Sequence, residues 1–556
     1  MRKLFIIVIS CVGVLLAGYA GYRGYKVWKT KHLVSLGAGF LAKSDRRNAA
    51  LSAQEVLRTD PKNLEATRMM AQLAEGARSP AALLWLGRVV ELAPHALPDR
   101  LALVQTALVM RDYNTAIHAL EGVDAADKDT SAYHNIAGMV AAATGHPDEA
   151  EKQFQEVSRL EPQNPAPQLN LAVVRIHRTN ATELAEARQV MQRIAVNPTN
   201  SSLRCQALRE LVLDAMGWGH SDAGLALSQQ LIRETNSSFA DRILRLEVLL
   251  ETKSADFKPT LASFQRDAAT NQSEIYELGN WEKAKMSPAD ALKWLTNLPA
   301  NLQTNQPATL LIAECLGSEK KWKEVHAWLA PQHWGDTEFI RHAFMSRALR
   351  EENLPDAGKA EWELALRSAN AQKQSLSMLL NLAAQWSWIN EGEDLLWTMV
   401  NRFPEEKWAE RALARTLLEG GQTRPLLQLF DQELKRAPSD LAAKNNLASI
   451  ALLLGAKEVK PNDLALEVYQ KIPTNAAFAA TYAFSLYQQG KNAEALKVMR
   501  QVNPKDLEVP AIAGYYGLIL KATGDMAGAR TYLDKAAKIR LLPEEQRLFS
   551  QARAGT

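Results

Sequence analysis

The sequence predicts an all-α fold: a right-handed α-solenoid of about 15 stacked helical hairpins that follows one N-terminal transmembrane helix. Apolar residues recur at helical spacing in almost every segment after residue 30, and no run alternates as a β-strand would. Alanines recur every 34 residues at Ala82, Ala116 and Ala150. Residues 4–20 form an apolar run without a charge. The first two observations predict the solenoid, and the third predicts the transmembrane helix.

The stretch 131–164 shows the repeating unit most clearly, as two helices and a turn. Gly138 places a small residue where two helices would approach closely, and Gly145 ends the first helix. On the second helix Ala150 and Phe154 are four residues apart, so they lie on one face. One hairpin of this size cannot bury its apolar face alone, so it calls for neighbours of the same kind.

Small residues elsewhere keep the same interval, as in the pairs Gly490 with Gly524 and Ala495 with Ala529. This pattern resembles the tetratricopeptide repeat, which carries an apolar residue and a small residue on its first helix and an alanine and an aromatic residue on its second. The resemblance extends over most of residues 31–543. It implies a stack of hairpins whose first helices line a concave groove for a peptide or helix of a protein partner.

The repeat register divides the chain into five segments. We expect residues 1–30 to form a signal anchor, 31–237 and 338–543 to form repeat arrays, and 544–556 to form a capping helix and tail. The segment 238–337 keeps helical periodicity but loses the register, which predicts irregular helix pairs of altered length.

The apolar run at 4–20 follows a short basic head and precedes aromatic residues that include Tyr22, Tyr25 and Trp28. This order is typical of an uncleaved signal anchor with an interfacial aromatic belt. It predicts a single-pass protein of the inner membrane with its array outside the cytoplasm. Cleavage of a signal peptide near Ala20 would instead release the protein. Because basic residues flank both ends of the run, an array that faces the cytoplasm is a further alternative.

Tryptophans supply the main candidate for a partner-binding site, because ten of the thirteen fall between residues 281 and 408. Some lie at positions that the repeat does not prescribe, and Trp322, Trp328 and Trp334 are the candidates. Large aromatic side chains with a donor are favoured at interfaces, but they also fill helix cores. Replacing all three should weaken partner binding without unfolding, whereas loss of helical structure would indicate core packing.

Lys444, Asn445 and Asn446 form a second candidate site. Repeats that bind the C-terminal tail of a chaperone use a clamp of Lys, Arg and Asn on their first helices, and this triplet supplies part of that chemistry. It favours an alternative function as a cytoplasm-facing regulatory or chaperone adaptor.

Other classes of site lack a sequence signal. A net charge of +3 with interleaved acids and bases gives no basic patch for nucleic acid. The stretch 37–42 matches a dinucleotide fingerprint, but no strand precedes it. His326, His333 and His342 lack the spacing of a helix-borne zinc site, and no nucleophile motif occurs. We therefore expect no enzyme activity, cofactor, metal or small-molecule substrate.

Together these features predict a membrane-tethered, non-catalytic scaffold for protein partners, with a role in cell-envelope or exopolysaccharide assembly. The role in assembly rests on analogy. The plan is similar to repeat proteins that regulate lipopolysaccharide synthesis and to those of exosortase-linked exopolysaccharide systems. The first group ends in a Cys-rich metal-binding module, and no Cys-x-x-Cys occurs in this sequence. An accessory subunit of an enzyme complex, with its site in 238–337, is the remaining alternative.

Overall fold

The computed structural model describes residues 24–77, 79–178, 180–197 and 199–555, which form helices and the turns between them. No β-strand occurs in these ranges, and the all-α prediction is confirmed. The chain divides into two compact units, Met1–Trp281 and Glu282–Thr556. Each unit has its own packed cores.

The helices of the first unit are α1 (24–42), α2 (Arg46–Thr59), α3 (Leu64–Gly76), α4 (Ala81–Leu92), α5 (Leu97–Val109), α6 (Tyr113–Glu121), α7 (Ser131–Ala143), α8 (Pro147–Leu160), α9 (Pro165–Arg175), α10 (Ala181–Ala195), α11 (Ser201–Gly217), α12 (Ser221–Leu231), α13 (Phe239–Glu251) and α14 (Phe257–Ala268). The boundary between the units falls within α15 (Gln272–Lys285).

The helices of the second unit are α16 (Pro288–Leu295), α17 (Ala300–Gln303), α18 (Ala308–Ser318), α19 (Trp322–Leu329), α20 (Glu338–Glu351), α21 (Pro355–Ser368), α22 (Lys373–Gln385), α23 (Ile389–Arg402), α24 (Lys407–Glu419), α25 (Thr423–Arg436), α26 (Leu441–Leu454), α27 (Pro461–Lys471), α28 (Ala476–Gln488), α29 (Asn492–Met499), α30 (Pro504–Leu507), α31 (Pro510–Ala522), α32 (Met526–Ala536) and α33 (Pro543–Ala554). Three short 3₁₀ turns lie at Ala125–Asp127, Gly335–Thr337 and Lys457–Val459.

In the described part of the chain, helix order gives fifteen successive pairs, from α1 and α2 to α31 and α32. The short helices α17 and α30 connect pairs, and α33 follows the last one. Within each unit most helices pack against their successor, and first helices of neighbouring pairs also touch, as α5 and α7 or α26 and α28 do. This packing between neighbours is the architecture of stacked hairpins. The right-handed superhelix stays a prediction.

The pair α7 and α8 shows how the repeating residues hold two helices together. Gly138 lies so close to Phe154 that a Cβ atom on the glycine would be 2.6 Å from the ring. Ala150 has no exposed surface, and neither do Ala82 and Ala116 at the same position of earlier pairs. The recurring alanine is therefore the residue that packs each second helix against the core.

The turns inside many pairs place one residue in the left-handed backbone region. At this position Gly145 has φ 78°, Gly490 has φ 77° and Gly524 has φ 92°. Arg111 and Lys320 occupy the same kind of turn with φ 58°. Residues with a Cβ atom lose about 1–2 kcal/mol in this region, which is why glycine is the usual choice.

Helix pairs continue through 238–337, but their second helices are shorter. The helices α16 and α19 have eight residues each, against fourteen in α8. Helix length alone does not account for the lost register, because α29 also has eight residues and the interval of 34 is kept from Gly490 to Gly524.

No described helix combines the length and the apolar character needed to cross a membrane. The predicted anchor at 4–20 lies outside the described residues and stays a prediction. Shortly after it, among the first described residues of α1, three large apolar side chains point into solvent: Tyr25, Val27 and Trp28 are 59%, 56% and 60% exposed.

Candidate partner-binding site

The three candidate tryptophans lie in three different environments and do not form one surface. Trp322 begins α19 and lines a cavity of about 440 Å³. Trp328 lines a separate cavity of about 550 Å³, and its Nε1 donates a hydrogen bond to the Thr309 carbonyl at 3.3 Å. Trp334 is only 7% exposed, and its Nε1 donates to Gln332 Oε1 at 2.9 Å. Trp322 and Trp328 thus reach surface cavities, whereas Trp334 belongs to the core.

A buried hydrogen-bond network holds Trp334 in place. The Thr309 hydroxyl donates to Gln332 Oε1 at 2.5 Å, and Gln332 Nε2 donates to the Trp328 carbonyl at 2.7 Å. Buried polar groups are costly to leave unpaired. Replacing Trp334 would therefore disturb this core. Weaker partner binding by such a variant would not identify a binding surface.

A continuous stack of aromatic rings and guanidinium groups runs from the Trp322 cavity to the next pair of helices. We call it the Trp–Arg stack, and its members are Trp322, Arg347, Trp386, Trp388 and Arg350. The Arg347 guanidinium carbon lies 5.1 Å from the ring centres of both Trp322 and Trp386. Trp386 and Trp388 are 5.0 Å apart, and the Arg350 guanidinium lies 4.0 Å from the Trp388 ring. These distances are those of cation–π and edge-on ring contacts.

The local sequence explains how the stack assembles. Arg347 and Arg350 are three residues apart on α20 and therefore share one face of that helix. Trp386 and Trp388 flank Ser387, whose φ of 58° makes the turn between α22 and α23. Together with Trp322 of α19, three helix pairs thus contribute rings and cations to the same row.

The two arginines of the stack differ in their charge partners. Arg350 forms an ion pair with Glu391 at 2.6 Å. Arg347 has only the Glu351 carboxylate at 3.8 Å, and its Nε is buried without a hydrogen-bond partner among the described residues. Burial lowers the pKa of the Arg347 guanidinium below its usual range. The buried Nε is closed to a further acceptor, but the Arg347 side chain is 24% exposed, which leaves its Nη groups to bind one.

The cavity beside Trp322 combines this cation with aromatic and polar walls. Phe344, Trp386 and Gln385 line it together with the ion pair of Lys283 and Glu314, whose charged atoms are 2.5 Å apart. Because that pair is internally neutral and Glu351 is 3.8 Å from Arg347, Arg347 is the cavity's weakly paired cation. A carboxylate on an apolar or aromatic frame matches such a site.

Two segments of the chain, residues 101–165 and 483–544, match the family model of the tetratricopeptide repeat. These two segments carry tetratricopeptide repeats. Both matched segments lie outside the Trp–Arg stack.

Three solved structures illustrate the likeness of the repeats. PilF of Pseudomonas aeruginosa has 18% identity and a TM-score of 0.32, and the match covers 41% of this chain and 99% of that one. A tetratricopeptide repeat protein of Parabacteroides merdae has 12% identity and a TM-score of 0.37, with 49% and 100% covered. A chain of the APC/C hetero-tetramer Cut9–Hcn1 has 12% identity and a TM-score of 0.27, with 94% and 96% covered. No curated protein sequence matches this chain.

The second candidate triplet lies on α26, the first helix of a repeat. The Lys444 ammonium is 2.5 Å from the Glu467 carboxylate, so its charge is already paired. Asn445 is 8% exposed and faces the core, and Asn446 is half-buried. The three side chains do not converge on one accessible surface, and partner binding by them stays a prediction.

The histidines pair with carboxylates on different helices. His326 Nδ1 lies 3.3 Å from Glu352, and His342 Nδ1 lies 2.6 Å from Glu361. Among the residues that the structure describes, no group of three or more His, Cys, Asp or Glu side chains is placed to hold a metal ion.

Proposed function

We propose that this tetratricopeptide repeat protein is a non-catalytic scaffold, and that the cavity of the Trp–Arg stack binds an acidic segment of a protein partner. Repeat proteins of this class generally bind protein partners. The site rests on the position of Arg347 between Trp322 and Trp386, where its side chain is 24% exposed and 3.8 Å from its nearest carboxylate.

The physical reason is that the site is already organised before a partner arrives. The two rings hold the Arg347 guanidinium, so little side-chain entropy is lost when a carboxylate binds it. The same rings offer apolar surface to the rest of the peptide. Tryptophan and arginine are the residues most often found at the energetic centres of interfaces.

Binding of short peptides tests this site. An array of peptides that each carry one Asp or Glu beside an aromatic residue would be compared with a matched array carrying Asn or Gln. We expect the protein to prefer the acidic array, and Arg347→Met to abolish that preference. The control is Arg367→Met, which removes an exposed arginine on α21. Equal binding of both arrays, or unchanged binding by Arg347→Met, would refute the site.

We further propose that residues 4–20 tether the protein to the inner membrane with its repeats outside the cytoplasm, where it gathers partners for envelope or exopolysaccharide assembly. The apolar run supports the tether. The exposed Tyr25, Val27 and Trp28 at the start of α1 also support it, because such side chains favour a membrane interface.

Protease treatment of cells that carry a C-terminal tag tests this topology. If the protease removes the tag once the outer barrier of the cell is opened, and the protein is found in the membrane fraction, the proposal is supported. Protection until the inner membrane is lysed would favour the cytoplasm-facing adaptor. Recovery in the soluble fraction would indicate cleavage near Ala20.

A further inference from the structure

The last helix, α33, contacts parts of the chain well beyond its neighbouring repeat. It follows α32 but also packs against α26. Glu544 accepts a hydrogen bond from Thr423 at the start of α25, and Pro543 lies against Gly421, where a Cβ atom would be 3.3 Å away. Repeats in a solenoid ordinarily contact only their neighbours, so α33 departs from that pattern.

The first helices α26, α28 and α31 form the surface that receives α33, and we call this surface the C-terminal groove. Leu452 of α26, Phe484 of α28 and Tyr515 of α31 belong to one buried cluster with Phe549 and Ala552 of α33. A first-helix surface of this kind is where a repeat protein presents its groove. In this chain the groove already holds a helix.

Phe549 is the anchor of α33 in the groove. Its ring lies edge-on to Tyr515 at 5.2 Å, and it fills a seat above Gly514, where a Cβ atom would lie only 2.4 Å from the ring. One turn earlier, Glu545 Oε1 accepts a hydrogen bond from the Tyr515 hydroxyl at 2.7 Å. Because Glu545 and Phe549 are four residues apart, a single helical face carries both contacts.

The rest of α33 is held mainly by polar contacts, since Lys521 Nζ donates to the Ala552 carbonyl at 2.6 Å and Arg553 pairs with Asp534 at 2.6 Å. Of its twelve residues, only Phe549 and Ala552 are buried, and the others are mostly polar or charged. An ordinary core-facing helix carries a wider apolar stripe. A helix with so small a buried face can leave its groove without unfolding the helices beneath it.

We propose that the C-terminal groove binds a helix of a protein partner, and that α33 occupies the groove until the partner displaces it. The matching partner helix carries a carboxylate four residues before an aromatic side chain, as Glu545 and Phe549 do. This inference rests on the proposed scaffold function but uses a surface separate from the Trp–Arg stack. Arg347→Met should therefore leave binding at the C-terminal groove unchanged.

Fluorescence anisotropy with a labelled peptide of residues 540–555 tests the exchange in the full chain. The wild-type groove is filled by a tethered competitor at an effective concentration on the order of millimolar, so we expect weak binding. Phe549→Ala should bind the peptide at least about tenfold more tightly, because its own α33 competes less well. The matched control, Gln551→Ala on the exposed side of α33, should behave as wild type.

Adding Gly514→Leu to Phe549→Ala should abolish the gain, because the new side chain fills the aromatic seat. The proposal is overturned if Phe549→Ala shows no gain, or if the Gly514→Leu double variant binds equally well. If Arg347→Met loses only its preference for the acidic peptide array, that result supports the site at the Trp–Arg stack and leaves the C-terminal groove unaffected.

Hydrogen exchange of the wild-type protein provides a test that needs no variant. Amides of α33 should exchange at least about tenfold faster than those of α31, since α33 opens on its own. Exchange of α33 and α31 at one common rate would show that α33 is an inseparable part of the fold, and the inference would fail.

Discussion

Two partly buried arginines should lose very different amounts of stability on the same substitution, to methionine. Arg209 on α11 donates two hydrogen bonds to the Asp241 carboxylate on α13, at 2.6 and 3.0 Å, and the Asp241 side chain is completely buried. Arg209→Met would leave that carboxylate buried without its cation. Breaking such a pair costs about 3–5 kcal/mol, and the partial exposure of Arg209 places the expected loss near 3 kcal/mol.

Arg347→Met leaves no buried carboxylate unpaired, because the nearest one, on Glu351, is 46% exposed. The substitution removes two cation–π contacts of about 0.5–2 kcal/mol each. It also removes a desolvated guanidinium with an unpaired Nε, which costs about 1–3 kcal/mol in the native protein. Methionine keeps much of the apolar contact with Trp322 and Trp386. We therefore expect a net change within about 1 kcal/mol.

Hydrogen exchange resolves these local effects in a chain whose repeats need not unfold together. Protection of the α13 amides should fall roughly hundredfold in Arg209→Met, while the α20 amides of Arg347→Met should change by less than about tenfold. A hundredfold loss in Arg347→Met would show that this arginine is structural and would remove the basis of the proposed peptide site. No loss in Arg209→Met would refute the reasoning on the buried pair.

Three further outcomes are expected. Gly490→Ala should lower stability by about 1 kcal/mol in thermal unfolding, because φ is 77° while the added Cβ atom meets open space. Burial raises the pKa of the Cys315 thiol to about 11, so iodoacetamide at pH 8 should label it only after unfolding, as peptide mass spectrometry would show. Burial and the nearby Glu545 carboxylate raise the pKa of Tyr515 well above 10. The neutral hydroxyl therefore contributes stability that is fully present below pH 10 and is lost as the pH rises further. Tyr515→Phe should remove that alkaline loss in pH-dependent unfolding.

The repeating architecture was predictable because it depends on local spacing. Ala82, Ala116 and Ala150 stand 34 residues apart and are all fully buried. Gly138 was predicted at a close helix approach, and it lies against Phe154. A periodic pattern reports which face of a helix is buried, and in a solenoid the neighbour in sequence is also the neighbour in space.

The candidate site was less predictable because its contacts follow no period. Trp322 was singled out from composition, but its partners Arg347 and Trp386 were not grouped with it, since they lie on other repeats. Trp334 was singled out with it and is a core residue. Sequence alone could not separate the two cases, because both tryptophans lie outside the repeat register and only packing distinguishes them.

Turn positions explain how separate repeats build the stack. Trp386 and Trp388 stand on either side of the left-handed residue Ser387, and Trp322 stands two residues after Lys320, which plays the same role. A side chain at such a turn projects beyond its own hairpin and meets the neighbouring repeat. Both turns reach toward α20, where Arg347 and Arg350 lie between them. Turns tolerate substitution because the helix cores do not depend on them. Residues that bind a partner can therefore lie at the turns, while the buried alanines keep the hairpins stacked.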